Sequence, residues 1–143
     1  MFQKIVVAYN ESPQAERALA TAVDLVKCLQ AELQTVTVME DLPAYTAYAA
    51  VDSSLTQSLK DDRLKFYREL RAKILSLASR CGVEIRSNLI DGGEIHAIVE
   101  FLREQKADLL VIGLHPRDLY ISRLWSTVYG LAQDAPCPIL GVH

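Results

Sequence analysis

The stretch KIVVAYNESPQAERALATAVDLVKCLQ, residues 4–30, changes its hydrophobic period once, and that change decides the fold. Its first part, Lys4–Tyr9, is a short run of apolar, largely β-branched residues, the pattern of a strand covered on both faces. Asn10-Glu11-Ser12-Pro13 breaks the run. Ser12 is a preferred N-cap, and Pro13 suits the first helical position, where its missing N–H forfeits no helical hydrogen bond. Beyond it Ala15, Leu19, Ala22, Val26 and Leu29 recur at helical spacing, which predicts a helix from Pro13 to about Gln30.

The same alternation continues outward. Leu33–Met39 (LQTVTVM) is rich in β-branched residues and reads as a second strand. Glu40 to Ser54 carries Pro43 and small residues and reads as a long loop, a type that is often functional. Ser54 and Gln57 have capping-box spacing, and Leu59, Phe66, Leu70, Ile74, Leu77 and Cys81 mark one face of a long second helix ending near Gly82. Val83–Ile90 is a third strand, followed by a Gly92-Gly93 turn and a helix bearing Ile95, Ile98, Val99 and Leu102. Leu109–Ile112 is a fourth buried strand stopping at Gly113; Leu124, Val128 and Leu131 give a fourth helix, and Ile139–Val142 a last strand. This order predicts an α/β fold: a doubly wound, five-stranded, mostly parallel sheet with helices on both faces, in three α/β/α layers. With no repeat, low-complexity segment or linker, residues 1–143 are expected to form a single domain.

Composition narrows the function classes. The net charge is −3 and no Lys/Arg-rich run occurs, so a nucleic-acid partner is not expected. The run KDDRLKFYRELRAK interleaves its signs, as a solvated helix face does. No segment approaches the roughly 18 apolar residues of a membrane span, and the first apolar run is shorter than the roughly 7–15 of a signal peptide, so a cytoplasmic protein is expected. Cys28, Cys81 and Cys137 are odd in number and widely spaced, which argues for a reducing compartment and predicts three small core residues. No Cys-x-x-Cys or His pair suggests a metal.

Open α/β sheets bind ligands at the carboxyl ends of their strands, near the point where strand order reverses. Those ends include Tyr9-Asn10-Glu11-Ser12, Val38-Met39-Glu40, and the stretch GLHPRDLYISRLWST from Gly113 to Thr127. The last joins a buried strand to a helix and can present backbone N–H groups to a phosphate. The sequence lacks G-x-x-x-x-G-K-[ST], G-x-G-x-x-G and G-x-S-x-G, so it supports neither a Walker-type NTPase, nor a dinucleotide enzyme, nor an α/β-hydrolase. His115 has no visible partner constellation and reads as a polar or packing residue of the loop; His96 and His143 read as incidental. No catalytic residue is assigned.

Three pieces of the chain, in order and at the right intervals, resemble the universal stress protein family. KIVVAYNESPQAERAL is similar to that family's opening, ADLLVIGLHPR to its A-D-L-I-V-x-G-S-H-G-R segment, and DAPCPILGV to its close. The resemblance implies a stress-response regulatory or binding protein without catalysis, acting with protein partners and pairing with itself through the last strand, Ile139–Val142. It also implies a site for ATP or another adenine nucleotide with Mg. The nucleotide-binding branch carries G-x2-G-x9-G-[ST]. Here the spacing stands but the residues are Gly113, Pro116 and Ser126, then Thr127. Pro116 has no N–H to donate and fixes its φ, Ser126 adds a side chain at a position of close approach, and the family's early acid is Asn10. The site is therefore expected to be degenerate, with ATP binding weakened or lost altogether. Arg117, Ser126 and Thr127 remain to hold an anion, and Ala8, Val38, Ile112 and Val128 fall where the family lines its adenine pocket, positions that core packing alone would also make apolar. A slow ATP-hydrolysing enzyme, with His115 or Asp118 assisting, is the alternative; it lacks a dedicated lysine and a carboxylate pair.

Overall fold

The computed structural model describes residues 1–39, 53–115 and 127–143, with side chains from residue 57 onward in the middle segment. Five strands are described: β1 (Lys4–Ala8), β2 (Glu32–Met39), β3 (Ile85–Asp91), β4 (Leu109–Gly113) and β5 (Ile139–Val142). Among the described residues four helices lie between them: α1 (Pro13–Leu29), α2 (Ser53–Cys81), α3 (Glu94–Gln105) and α4 (Thr127–Asp134). The strands form one sheet in the order β3-β2-β1-β4-β5, and every described pairing is parallel. The sequence predicted a mostly parallel sheet; the described one is wholly so.

The central strands are buried on both faces, as their unbroken apolar runs require. Ile5 and Val7 of β1 pack with Leu109 and Val111 of β4 against α1 and α2. Val6, Leu110 and Ile112 face the other way, against Ile98, Val99 and Leu102 of α3 and Leu131 of α4. Each face of the sheet thus carries two of the described helices, the three layers expected.

Local chemistry sets the helix ends. The Ser12 hydroxyl accepts from the Ala15 N–H at 3.1 Å, with Pro13 at the head of α1. Gln30, Gly82 and Lys106 each take a left-handed conformation after a helix, with φ of 55°, 68° and 53°. In each case the next residue's N–H reaches back five residues to a helix carbonyl, Ala31 to Val26, Val83 to Ala78 and Ala107 to Leu102. That cap takes up Val83, so β3 starts at Ile85 and not at Val83 as the alternation suggested. The second helix begins at Ser53, which places Ser54 inside it rather than at its cap and ends the predicted loop earlier. The rest of that loop, and Leu124, lie outside the described residues.

Two apolar expectations need correcting. Leu59 and Phe66 are 38% and 47% exposed; the buried stripe of α2 is Leu70, Ile74 and Ala78, where the helix lies on the sheet. Cys28 is exposed on α1, while Cys81 and Cys137 are half-buried, so none is a fully buried core residue. No helix among the described residues is long and apolar enough to cross a membrane.

Candidate functional site

The order β3-β2-β1-β4-β5 places the reversal of winding between β1 and β4. The chain steps outward from β1 through β2 to β3, then returns to the other side of β1 for β4. The helix after β1 packs on one face of the sheet and the helix after β4 on the other, which leaves a crevice at the carboxyl edge. A hollow of about 310 Å³ lies there, in the size class of small-molecule sites. Ala8, Ile112, Val128 and Leu131 supply its apolar surface, and Asn10, Ser12, Glu94, His115 and Thr127 its polar groups. A second hollow of about 200 Å³ extends over the ends of β1 and β2, bounded by Val38, Phe66 and Tyr67. Ala8, Asn10, Glu94 and Ile98 line both, so the two form one cleft with a shared waist.

Asn10 is held by the turn that starts α1. Its Oδ1 accepts from the Ser12 N–H at 3.3 Å and from the Ser12 hydroxyl at 2.7 Å. Because a backbone N–H can only donate, the amide end facing Ser12 must be the oxygen; the other end is the NH2 donor. Between them Glu11 has φ 63°, a conformation few non-glycine residues adopt. Thr37 secures the turn from behind: its hydroxyl donates to the Tyr9 carbonyl at 2.8 Å, extending the contact of β2 with the chain beyond the end of β1.

Gly113 ends β4 where the strand touches α1. A Cβ there would lie 2.5 Å from the carbonyl carbon of Gln14 and 2.7 Å from the Ala15 nitrogen. On the far wall, Glu94 opens α3 and Thr127 opens α4, and the Thr127 hydroxyl donates to Glu94 Oε2 at 3.3 Å. That bond ties together the two helices of one layer at the cleft.

The charges beside the cleft are mostly solvated. Lys73 of α2 lies 2.6 Å from Glu16 and 3.7 Å from Glu11, and its bond to Glu16 raises the ammonium pKa above the ordinary 10.5. All three side chains are largely exposed, so water screens the cluster and its stability contribution is small. Burial pushes the Tyr9 phenol above its ordinary 10.0, with Lys73 pulling the other way. Burial also raises the Cys137 thiol, which keeps it protonated and weakly nucleophilic. Among the described residues no group of three or more His, Cys, Asp or Glu could hold a metal.

The structure brings together Ala8, Asn10, Ile112, Gly113, Thr127 and Val128 around the larger hollow and places Val38 at the smaller. Pro116, Arg117 and Ser126, and with them Asp118, lie outside the described residues. Sequence reasoning missed Glu94, Ile98 and the α2 residues Phe66 and Tyr67. The one available signal was that Glu94 follows the carboxyl end of the third strand, a position the fold makes eligible.

The Universal stress protein family model matches residues 1–143. The chain belongs to that family. A universal stress protein of Thermus aquaticus is 30% identical over 145 residues, covering all of both chains. The solved universal stress protein in complex with cAMP superposes with a TM-score of 0.69 at 23% identity, over 99% of this chain and 97% of that one. The universal stress protein of Archaeoglobus fulgidus in complex with dAMP does so with a TM-score of 0.71 at 19% identity, over 100% and 98%. These two likenesses confirm the doubly wound fold.

Proposed function

We propose that this universal stress protein is a non-catalytic binding protein whose cleft takes an adenine nucleoside or monophosphate, with its grip on ATP weakened. The observation that carries the reading is the crevice between β1 and β4. Six of the residues singled out from sequence border it, and its surface pairs an apolar floor with a few convergent polar groups. The solved relatives holding cAMP and dAMP support an adenylate as the ligand class. Pro116 and Ser126, in place of two glycines of the family pattern, support a poor fit for a longer phosphate chain.

Protein purified without added nucleotide, then denatured, should release an adenine compound detectable by chromatography with mass detection. Added AMP at about 100 times its Kd should stabilise the fold by about 2.7 kcal/mol and raise the melting temperature accordingly. No released adenylate and no shift with AMP or Mg-ATP would sink the reading.

The protein acts as a homodimer through β5. Among the described residues this strand pairs only with β4 and no strand covers its outer edge, and Leu140 on it is 37% exposed. An apolar open edge invites association unless a partner covers it. Light scattering should give twice the chain mass, and Leu140→Lys should return it to a monomer; a monomeric wild-type protein at micromolar concentration would refute the pairing.

A further inference from the structure

We infer that Glu94 is the specificity-determining residue of this cleft: its carboxylate receives the ribose hydroxyls and turns away polyphosphate, so the ligand is a ribonucleoside head with little charge. This rests on the adenylate reading above and deepens it.

Three observations converge. First, Glu94 lines both hollows, as Asn10 does, so a group joining a base in one hollow to a tail in the other passes near it. Second, Asn10 cannot serve as acceptor for a sugar diol. Its oxygen is already committed to Ser12, and what remains is a donor. Glu94 is then the carboxylate at the waist, and a carboxylate can accept from both hydroxyls of a vicinal diol. The bond from Thr127 reaches Oε2 at 3.3 Å and orients the group. Third, the described lining of both hollows contains no Lys or Arg, and Glu94 is its one acidic residue. A polyphosphate tail passing Glu94 would meet a charge of its own sign.

The position also explains why this acid is tolerated. Glu94 sits in the first turn of α3, where a carboxylate is favoured by the exposed N–H groups of the helix. That same charge offsets the pull such a terminus would otherwise exert on a phosphate.

The test compares adenosine, 2′-deoxyadenosine and ATP by calorimetry on the wild-type protein and on Glu94→Gln. Glu94 is exposed, so the variant should fold as the wild type does, which a melting scan verifies. Wild type should bind adenosine about tenfold more tightly than 2′-deoxyadenosine, the worth of one charge-assisted hydrogen bond at a solvated site, and more tightly than ATP. In Glu94→Gln the preference for the 2′-hydroxyl should shrink to about threefold or less, and ATP should gain about tenfold. Equal wild-type affinity for the two nucleosides, an unchanged preference in the variant, or ATP as the tightest wild-type ligand would each overturn the assignment to Glu94 while leaving an adenylate site intact. Failure of all three compounds to bind either protein would remove the adenylate reading and this inference with it.

Discussion

Gly113→Ala should cost this fold about 3 kcal/mol or more, measured as the loss in unfolding free energy in urea. The reason is the identity of the atoms an added methyl would meet. They are the carbonyl carbon and oxygen of Gln14, at 2.5 and 2.6 Å, and the nitrogen of Ala15. These are backbone atoms in the first turn of α1, and no rotamer change can move them aside. That turn is held by the Ser12 cap, by Pro13, and by Ala15, which is 2% exposed. The other side of Gly113 is fixed too, because it pairs with Val142 and the next N–H, of Leu114, donates to the Val142 carbonyl at 2.7 Å. Relief requires α1 to lift from β4, which opens the cluster containing Ile5, Leu19 and Val111. Domains of this kind are stable by only about 5–15 kcal/mol, so the loss is a large share. Gly93→Ala is the control: nothing lies within 4 Å of a Cβ there, and a change near zero is expected. A Gly113→Ala loss below about 1 kcal/mol would show that α1 and β4 are not in the contact described.

That packing also bears on how the sequence should be read. Gly113 is the one glycine of the family's phosphate pattern kept in this chain, and it invites a reading as a relic of phosphate binding. The approach of α1 requires glycine there whether or not any ligand binds. Its presence is therefore not evidence for a working phosphate loop, whereas Pro116 and Ser126 still count against one.

Much of the fold was legible because its signals are local. Ser12 and Pro13 mark the start of α1 in chemistry that needs no tertiary context, and the runs of β1 and β4 are apolar throughout because helices cover both faces. What was illegible depended on distant contacts. Periodicity put Phe66 on the same stripe as Leu70 and Ile74, but the sheet beneath α2 covers only the later turns, so Phe66 emerges beside the cleft. Cys28 is of a residue type that is usually buried and yet is exposed here. Asn10 was visible as a departure from the family's acid; that its oxygen is committed to Ser12 was not. Glu94 was hidden because Gly92-Gly93 reads as a plain turn, and only the strand order shows that this turn opens onto the same edge as β1 and β4.

Leu102→Ala should lower stability by about 3–4 kcal/mol and leave ligand affinity nearly unchanged. Leu102 is 0% exposed and belongs to the cluster between α3, α4 and the sheet, with Val6, Val36 and Leu110 among its members. Truncation removes the transfer free energy of the lost methyl groups and leaves a void that neighbours on regular elements cannot fill. The expected loss sits in the middle of the 2–5 kcal/mol range for such changes because the cluster members Val6, Val36 and Leu110 all belong to strands rather than to loops. Position along α3 predicts the second half of the result. Leu102 lies in the last turns, where its carbonyl accepts from Ala107, whereas Glu94 and Ile98, the residues of α3 that border the cleft, lie in the first. Affinity for adenosine, measured well below the unfolding transition, should stay within about twofold of wild type. Leu75→Ala separates burial from hydrophobicity: Leu75 is 42% exposed on α2, and its loss should change stability by no more than about 0.5 kcal/mol. If Leu102→Ala lost affinity in step with stability, the first turn of α3 would depend on the packing of its last, and the cleft wall would be a property of the whole helix rather than of the Glu94 end.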